Sequence, residues 1–227
     1  MEEYVSESQQ IEQLKGWASE HGPWLLAGVA AVALGFGGYT QWQRWQESKS
    51  VRASDTYTQV LAALAKDDRG GAAKLADSLR AEYGRTPYPD QADLALARSY
   101  VEANQLGDAD ARLTLVVDHT KDTALRLLAR YRLARVQRAE GHADAALKTL
   151  DAEPARGFDA AFAELRGDIA ADKGDAAAAL KAYQAAERVA ADDLVNREVL
   201  ELKIAALGGT PAGDKAPADA PSAGVQP

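Results

Sequence analysis

The sequence contains no cysteine, which excludes disulfide bridges and thiolate chemistry and suits an oxidising or a reducing compartment equally. Its three histidines are His21, His119 and His142, and none stands at a spacing that makes metal ligands or a catalytic triad. Asp118 beside His119 has no nucleophile positioned with it, so the pair reads as ordinary helix-end residues. Gly35, Gly37 and Gly38 lie inside an apolar run, which rules out a phosphate-cradling loop there. A basic excess is also missing: 26 Lys+Arg stand against 34 Asp+Glu, a net charge of −8. Nucleic-acid affinity comes from neutralised phosphates, so no nucleic acid is expected as a partner. Aromatic residues make up 7% of the chain, and β-branched residues are sparse beyond the N-terminal run, which disfavours sheet. What remains is an alanine-rich, charged chain suited to close-packed helices, with no enzyme activity, metal or cofactor expected.

One long uncharged stretch does occur, "WLLAGVAAVALGFGGYTQW", residues 24–42. Its length matches the roughly 20 residues that a helix needs to cross a bilayer. Trp24 marks one border and Tyr39, Trp42 and Trp45 the other, the arrangement of aromatic belts at headgroup level. A buried soluble helix has no reason to place aromatics at both ends. A cleaved signal peptide fits poorly, because Glu2, Glu3, Glu7, Glu12 and Glu20 precede the run against Lys15 alone, and no small-x-small cleavage site follows. An uncleaved anchor in the lipid bilayer is therefore expected. Within it, Ala27, Ala31 and Gly35 share a face at four-residue spacing, which suits close approach of a second helix; an Ala/Gly-rich run also produces that spacing by chance. Orientation stays open at this point. Arg44, Lys49 and Arg52 after the run would hold the large C-terminal part in the cytoplasm, but long domains translocate largely regardless of charge.

Beyond the anchor the chain repeats. "GDADARLTLV" from Gly107, "GHADAALKTL" from Gly141 and "GDAAAALKAY" from Gly174 align, with glycines 34 and 33 residues apart. Each has Ala at the second and fourth positions after glycine and Leu at the sixth. Glycine closes one helix in the left-handed region, and Asp108, His142 or Asp175 opens the next. A period near 34 with this pattern looks like a tetratricopeptide repeat. The first copy is degenerate, with Tyr100 and Arg112 where small residues are expected. An earlier hairpin is expected to turn at Gly70-Gly71, and "DLVNREVLELKIAALGG" to cap the stack. The expected organisation is an N-terminal arm (1–23), a transmembrane helix (24–42), an all-α helical-repeat solenoid (43–207) and a Pro/Ala/Gly tail (208–227) with too little to bury for order.

One helix, "ALRLLARYRLARVQR", carries Arg126, Arg130, Arg132, Arg135 and Arg138 without an acid. These arginines spread over more than one face, so salt bridges to neighbouring acidic helices are expected for most of them. The sharper alternative is a basic lining for an acidic partner, with Arg126, Arg130 and Arg135 as candidate contacts.

The segments "MEEYVSESQQIEQLKGW", "LRLARVQ", "DAALKTLD" and "ELRGD", with the anchor between the first two, together resemble the YfgM family of ancillary subunits of the bacterial SecYEG translocon. The resemblance runs from Met1 to about Leu207. It implies a single-pass inner-membrane protein with a cytoplasmic N-terminus and a periplasmic repeat domain. It further implies association with the translocon and with a membrane-anchored, prolyl-isomerase-like periplasmic chaperone, in the service of exported client polypeptides. The family supplies no catalytic residues. A cytoplasm-facing scaffold that organises a membrane complex is the alternative that the charge count leaves standing.

Overall fold

The computed structural model describes residues 49–189 and 195–211, together with residues 15, 17, 24, 28, 32 and 34–36. Two units divide the chain, Met1–Asp55 and Thr56–Pro227. In the first unit every described residue is helical, and Trp24, Val32, Leu34 and Phe36 expose their apolar side chains, Trp24 by 81%. No helix among the described residues is long and apolar enough to cross a membrane. Most of the expected span, Ala27, Ala31, Tyr39 and Trp42 included, lies outside the described residues, as does the expected tail beyond residue 211. Of the expected anchor residues, Trp24 and Gly35 are described and helical.

The second unit is helical throughout, with no strand among its described residues. In chain order it comprises α1 (56–64), α2 (Arg69–Tyr83), α3 (Tyr88–Glu102), α4 (Leu106–His119), α5 (Thr123–Ala139), α6 (Ala143–Asp151), α7 (Asp159–Asp172), α8 (Ala176–Val189) and α9 (Arg197–Ala206). From α2 onward each described helix packs mainly on its sequence neighbours, and α5 also touches α7. That is the geometry of a solenoid.

One backbone device ends the first helix of each hairpin. Asp67, Asn104, Gly141, Gly174 and Gly208 all have positive φ, at 62, 57, 81, 76 and 76°. At each, the amide of that residue donates to the carbonyl three positions back, and the next amide to the carbonyl five back. Gly141 N–H meets Arg138 at 2.9 Å and His142 N–H meets Gln137 at 2.8 Å; Asn104 and Gln105 meet Val101 and Tyr100 at 3.0 and 2.8 Å. This double bond closes off the orphan carbonyls of a helix end. The first closure lies 37 residues before Asn104, which lies 37 before Gly141; the last two steps are 33 and 34.

The turn glycines therefore need correction. Gly107 lies inside α4, three residues past the turn, and the left-handed position in that copy belongs to Asn104. Asparagine tolerates this conformation better than other residues with a Cβ, which is why the glycine alignment misses it. Likewise the first hairpin turns at Asp67, and Gly70 and Gly71 lie in the first turn of α2, where Asp68 caps the Gly71 amide at 2.8 Å. Gly141 and Gly174 do occupy the left-handed turns between α5 and α6 and between α7 and α8.

With the register reset, Ala109, Ala146 and Ala179 are equivalent and fully buried, followed four residues on by Leu113, Leu150 and Tyr183. The core runs in series along the stack. Leu127, Ala134, Ala146, Leu150, Phe162, Leu165 and Ile169 form one cluster; Ala160, Ala161, Ala179, Tyr183, Leu200 and Ile204 belong to the next. α7 contributes to both, so it is apolar on two sides. Its Gly167 lies against the Tyr183 ring, where a Cβ would overlap the ring carbons. Polar nodes tie the hairpins together. Asp93, 1% exposed, accepts from Arg80 at 2.6 Å and Arg112 at 3.1 Å. Asp168 accepts from the Tyr183 hydroxyl at 2.9 Å, Lys203 at 2.7 Å and Arg138 at 3.1 Å. Burial, and then the bond to Asp168, push the Tyr183 phenol above its ordinary range.

Candidate functional site

α3 and α5 each pack against α4, leaving a gap between them. A groove of about 410 Å³ runs there. Leu94, Ala97, Arg98 and Val101 line one wall, at i, i+3, i+4 and i+7 on α3. Arg132, Arg135, Val136 and Ala139 line the other at the same spacing on α5, and Leu106 and Leu113 of α4 form the floor. That spacing is one face of a helix. Leu113 and Val136 are buried, whereas Val101 at the lip is 44% exposed. The groove is apolar inside and cationic at the edge, with three guanidinium groups against the one carboxylate of Glu102.

The arginines of α5 divide between two tasks. Arg130 is 1% exposed. It donates to the Thr149 carbonyl at 3.0 and 2.7 Å, to Leu150 at 3.1 Å and to the Glu153 carbonyl at 3.2 Å. Those are the orphan carbonyls at the end of α6, where a cation also meets the negative end of the helix dipole. Its guanidinium lies 5.5 Å from the Phe162 ring centre, and burial lowers its pKa from the usual guanidinium value. Arg126 pairs with Glu153 at 2.9 Å and donates to the Thr120 carbonyl at 3.3 Å. Hydrogen bonding from Arg126 holds the Glu153 carboxyl below its ordinary range. Arg138 spans to Asp168 and Asp172 on α7. Arg126 and Arg130, the candidate contacts of the sequence alternative, thus make hydrogen bonds inside the fold.

Arg135 and Arg132 are different. Arg135 is exposed and sits 5.7 Å from the Tyr131 ring centre. Arg132 is exposed too, and neither forms an ion pair among the described residues. Arg98, on the facing wall, pairs with Glu102 at 2.8 Å, their side chains 80% and 61% exposed. Reading arginines along one helix found Arg135 and missed Arg98, Val101 and Leu94, because the facing wall belongs to a helix one hairpin earlier. The i, i+3, i+4, i+7 pattern shared by α3 and α5 was the available signal.

Two further clefts carry charged residues in their lining. One of about 480 Å³ is lined by Asp77, Asp108, Asp110 and Arg112, and one of about 440 Å³ by Asp151, Glu153, Asp159 and Arg166. Among the described residues no group of three or more His, Asp or Glu is placed to hold a metal ion. His119 donates through Nδ1 to the Leu115 carbonyl at 2.9 Å, and His142 Nδ1 lies 3.5 Å from Glu140.

A stack of helical hairpins with an open groove between the first helices of successive pairs defines a helical-repeat protein, and the tetratricopeptide repeat-like domain family matches residues 15–209. The ancillary SecYEG translocon subunit of Escherichia coli (strain K12) is 33% identical over 206 residues, covering 90% of this chain and 98% of that one. The subunit of the same description from Haemophilus influenzae is 30% identical over 81% of this chain and 90% of its own, and that from Neisseria gonorrhoeae 28% over 91% and 100%. The chain belongs to the family of ancillary SecYEG translocon subunits. No solved structure matches it.

Proposed function

We propose that the chain is a non-enzymatic ancillary subunit of the SecYEG translocon. In this reading residues 24–42 hold it in the inner membrane, the N-terminal arm is cytoplasmic, and the repeat domain works on the periplasmic side. There the groove between α3 and α5 engages polypeptide, either exported clients or a membrane-anchored prolyl-isomerase-like chaperone. The carrying observation is the 33% identity to a protein of that description over 98% of its length. The apolar groove, recessed and open at its lip, supports a binding role, and tethering raises its local concentration near emerging chains. Removing residues 1–45 tests the proposal. SecYEG should co-purify with the full chain and be lost from a truncated chain that keeps its helical circular dichroism; full retention would overturn the tethering.

A cytoplasm-facing scaffold is the second reading, favoured by Arg44, Lys49 and Arg52 after the span against Lys15 before it. A compartment-sensitive reporter fused after Leu207 separates the two, since activity confined to the cytoplasm would exclude a periplasmic groove.

A further inference from the structure

We propose that the α3–α5 groove takes a polypeptide segment with carboxylates beside an apolar anchor, and that Glu102 is a built-in competitor for the cation that segment needs. This rests on the reading of the groove as a polypeptide-binding surface and adds the chemical class of its occupant.

The charge distribution carries the inference. The chain as a whole is acidic, with a net charge of −8. The groove rim inverts that sign, with Arg98, Arg132 and Arg135 around an apolar floor. Elsewhere in α5 the arginines are consumed internally: Arg126 and Arg130 on the end of α6, Arg138 on α7. Arg132 and Arg135 alone in that helix keep guanidinium donors for something outside the fold, among the described residues. A guanidinium presents parallel donors that match a carboxylate. The apolar interior of Leu94, Leu106, Leu113 and Val136 supplies the burial that an ion pair by itself does not.

Glu102 marks the class. It sits at the lip, 2.8 Å from Arg98, in a pair that is largely exposed on both sides. Such a pair is weakly held, so an incoming carboxylate can replace it. The neighbouring guanidinium groups then accept the rest of an acidic segment. A second copy of this chain is disfavoured as occupant by repulsion between two strongly acidic bodies. A flat bilayer cannot reach a floor recessed between two helices.

The test uses the full chain in detergent micelles and fluorescence anisotropy with two labelled peptides, one alternating leucine and glutamate and one with glutamine for each glutamate. The acidic peptide should bind about tenfold more tightly, and added salt should remove the difference. Arg132→Ala, on an exposed side chain, should weaken it about threefold to fivefold, and Glu102→Gln should strengthen it by a similar factor. Equal binding of both peptides, or no gain from Glu102→Gln, would overturn the acidic class while leaving polypeptide binding intact. Failure of both peptides on a chain that still co-purifies with the translocon would overturn the groove assignment and leave the translocon role standing. A dimer that dissolves on Arg132→Glu would assign the groove to a second copy, and would overturn it as well.

Discussion

Arg130 shows how a single residue type can mislead. A guanidinium that is 1% exposed persists because each side of it meets a carbonyl, a carboxylate or an aromatic face. Removing it leaves the carbonyls of Thr149, Leu150 and Glu153 without their donor. Arg130→Ala should cost about 3 kcal/mol in urea unfolding, whereas Arg132→Ala should stay within about 0.5 kcal/mol. Equal effects would mean that the two arginines do not differ in role. Gly167 makes the same point in the opposite direction. The Tyr183 ring occupies the space where a Cβ would go, so Gly167→Ala should cost about 1–3 kcal/mol despite the better helix propensity of alanine. The split among the arginines was not legible in the sequence, since it depends on where the end of α6 and the wall of α3 come to rest.

At the scale of the element, the hairpin closures are the strongest regularity in the chain. Their period reads clearly where the left-handed residue is Gly141 or Gly174 and is hidden where it is Asp67 or Asn104. Thermal unfolding distinguishes the two registers. Gly107→Ala should raise stability by about 0.5–1 kcal/mol, because residue 107 is helical and a Cβ there meets only the Glu140 side chain at an ordinary contact distance. Gly141→Ala should lower it by about 1 kcal/mol, because φ there is +81°. The opposite order would restore Gly107 as a turn. The join between α5 and α6 has a pH signature. Hydrogen bonding from Arg126 depresses the Glu153 carboxyl in the folded chain, so the folded state binds fewer protons than the unfolded state. That contribution is complete above the ordinary carboxylate value of about 4.3 and fades as pH falls through the lower folded value. The urea midpoint should drop on acidification below about pH 4.5, and Glu153→Gln should flatten part of that drop. An unchanged acid slope would remove Glu153 from the joint.

For the whole molecule, the solenoid class was legible because a helical period near 34 residues has few other structural meanings. The groove was not, because its two walls come from helices separated by α4, and the shared i, i+3, i+4, i+7 pattern marks a face on each without saying that the two faces meet. Overall acidity argued against nucleic acid as a partner, yet it concealed a cationic rim, since a net charge says nothing of where the charges lie. On the proposed reading the rim and the apolar floor serve as a surface for polypeptide, and the relatives are described as ancillary subunits of the SecYEG translocon. Photo-crosslinking in intact membranes tests that joint claim most directly, with benzoylphenylalanine in place of Val101 at the groove lip and, separately, of Lys148, exposed on α6. A tethered, polypeptide-binding groove predicts adducts to translocon-bound or exported chains from position 101, few from position 148, and loss of the former when residues 1–45 are removed. Equal labelling from both positions, or adducts from position 101 that persist without the N-terminal segment, would contradict it.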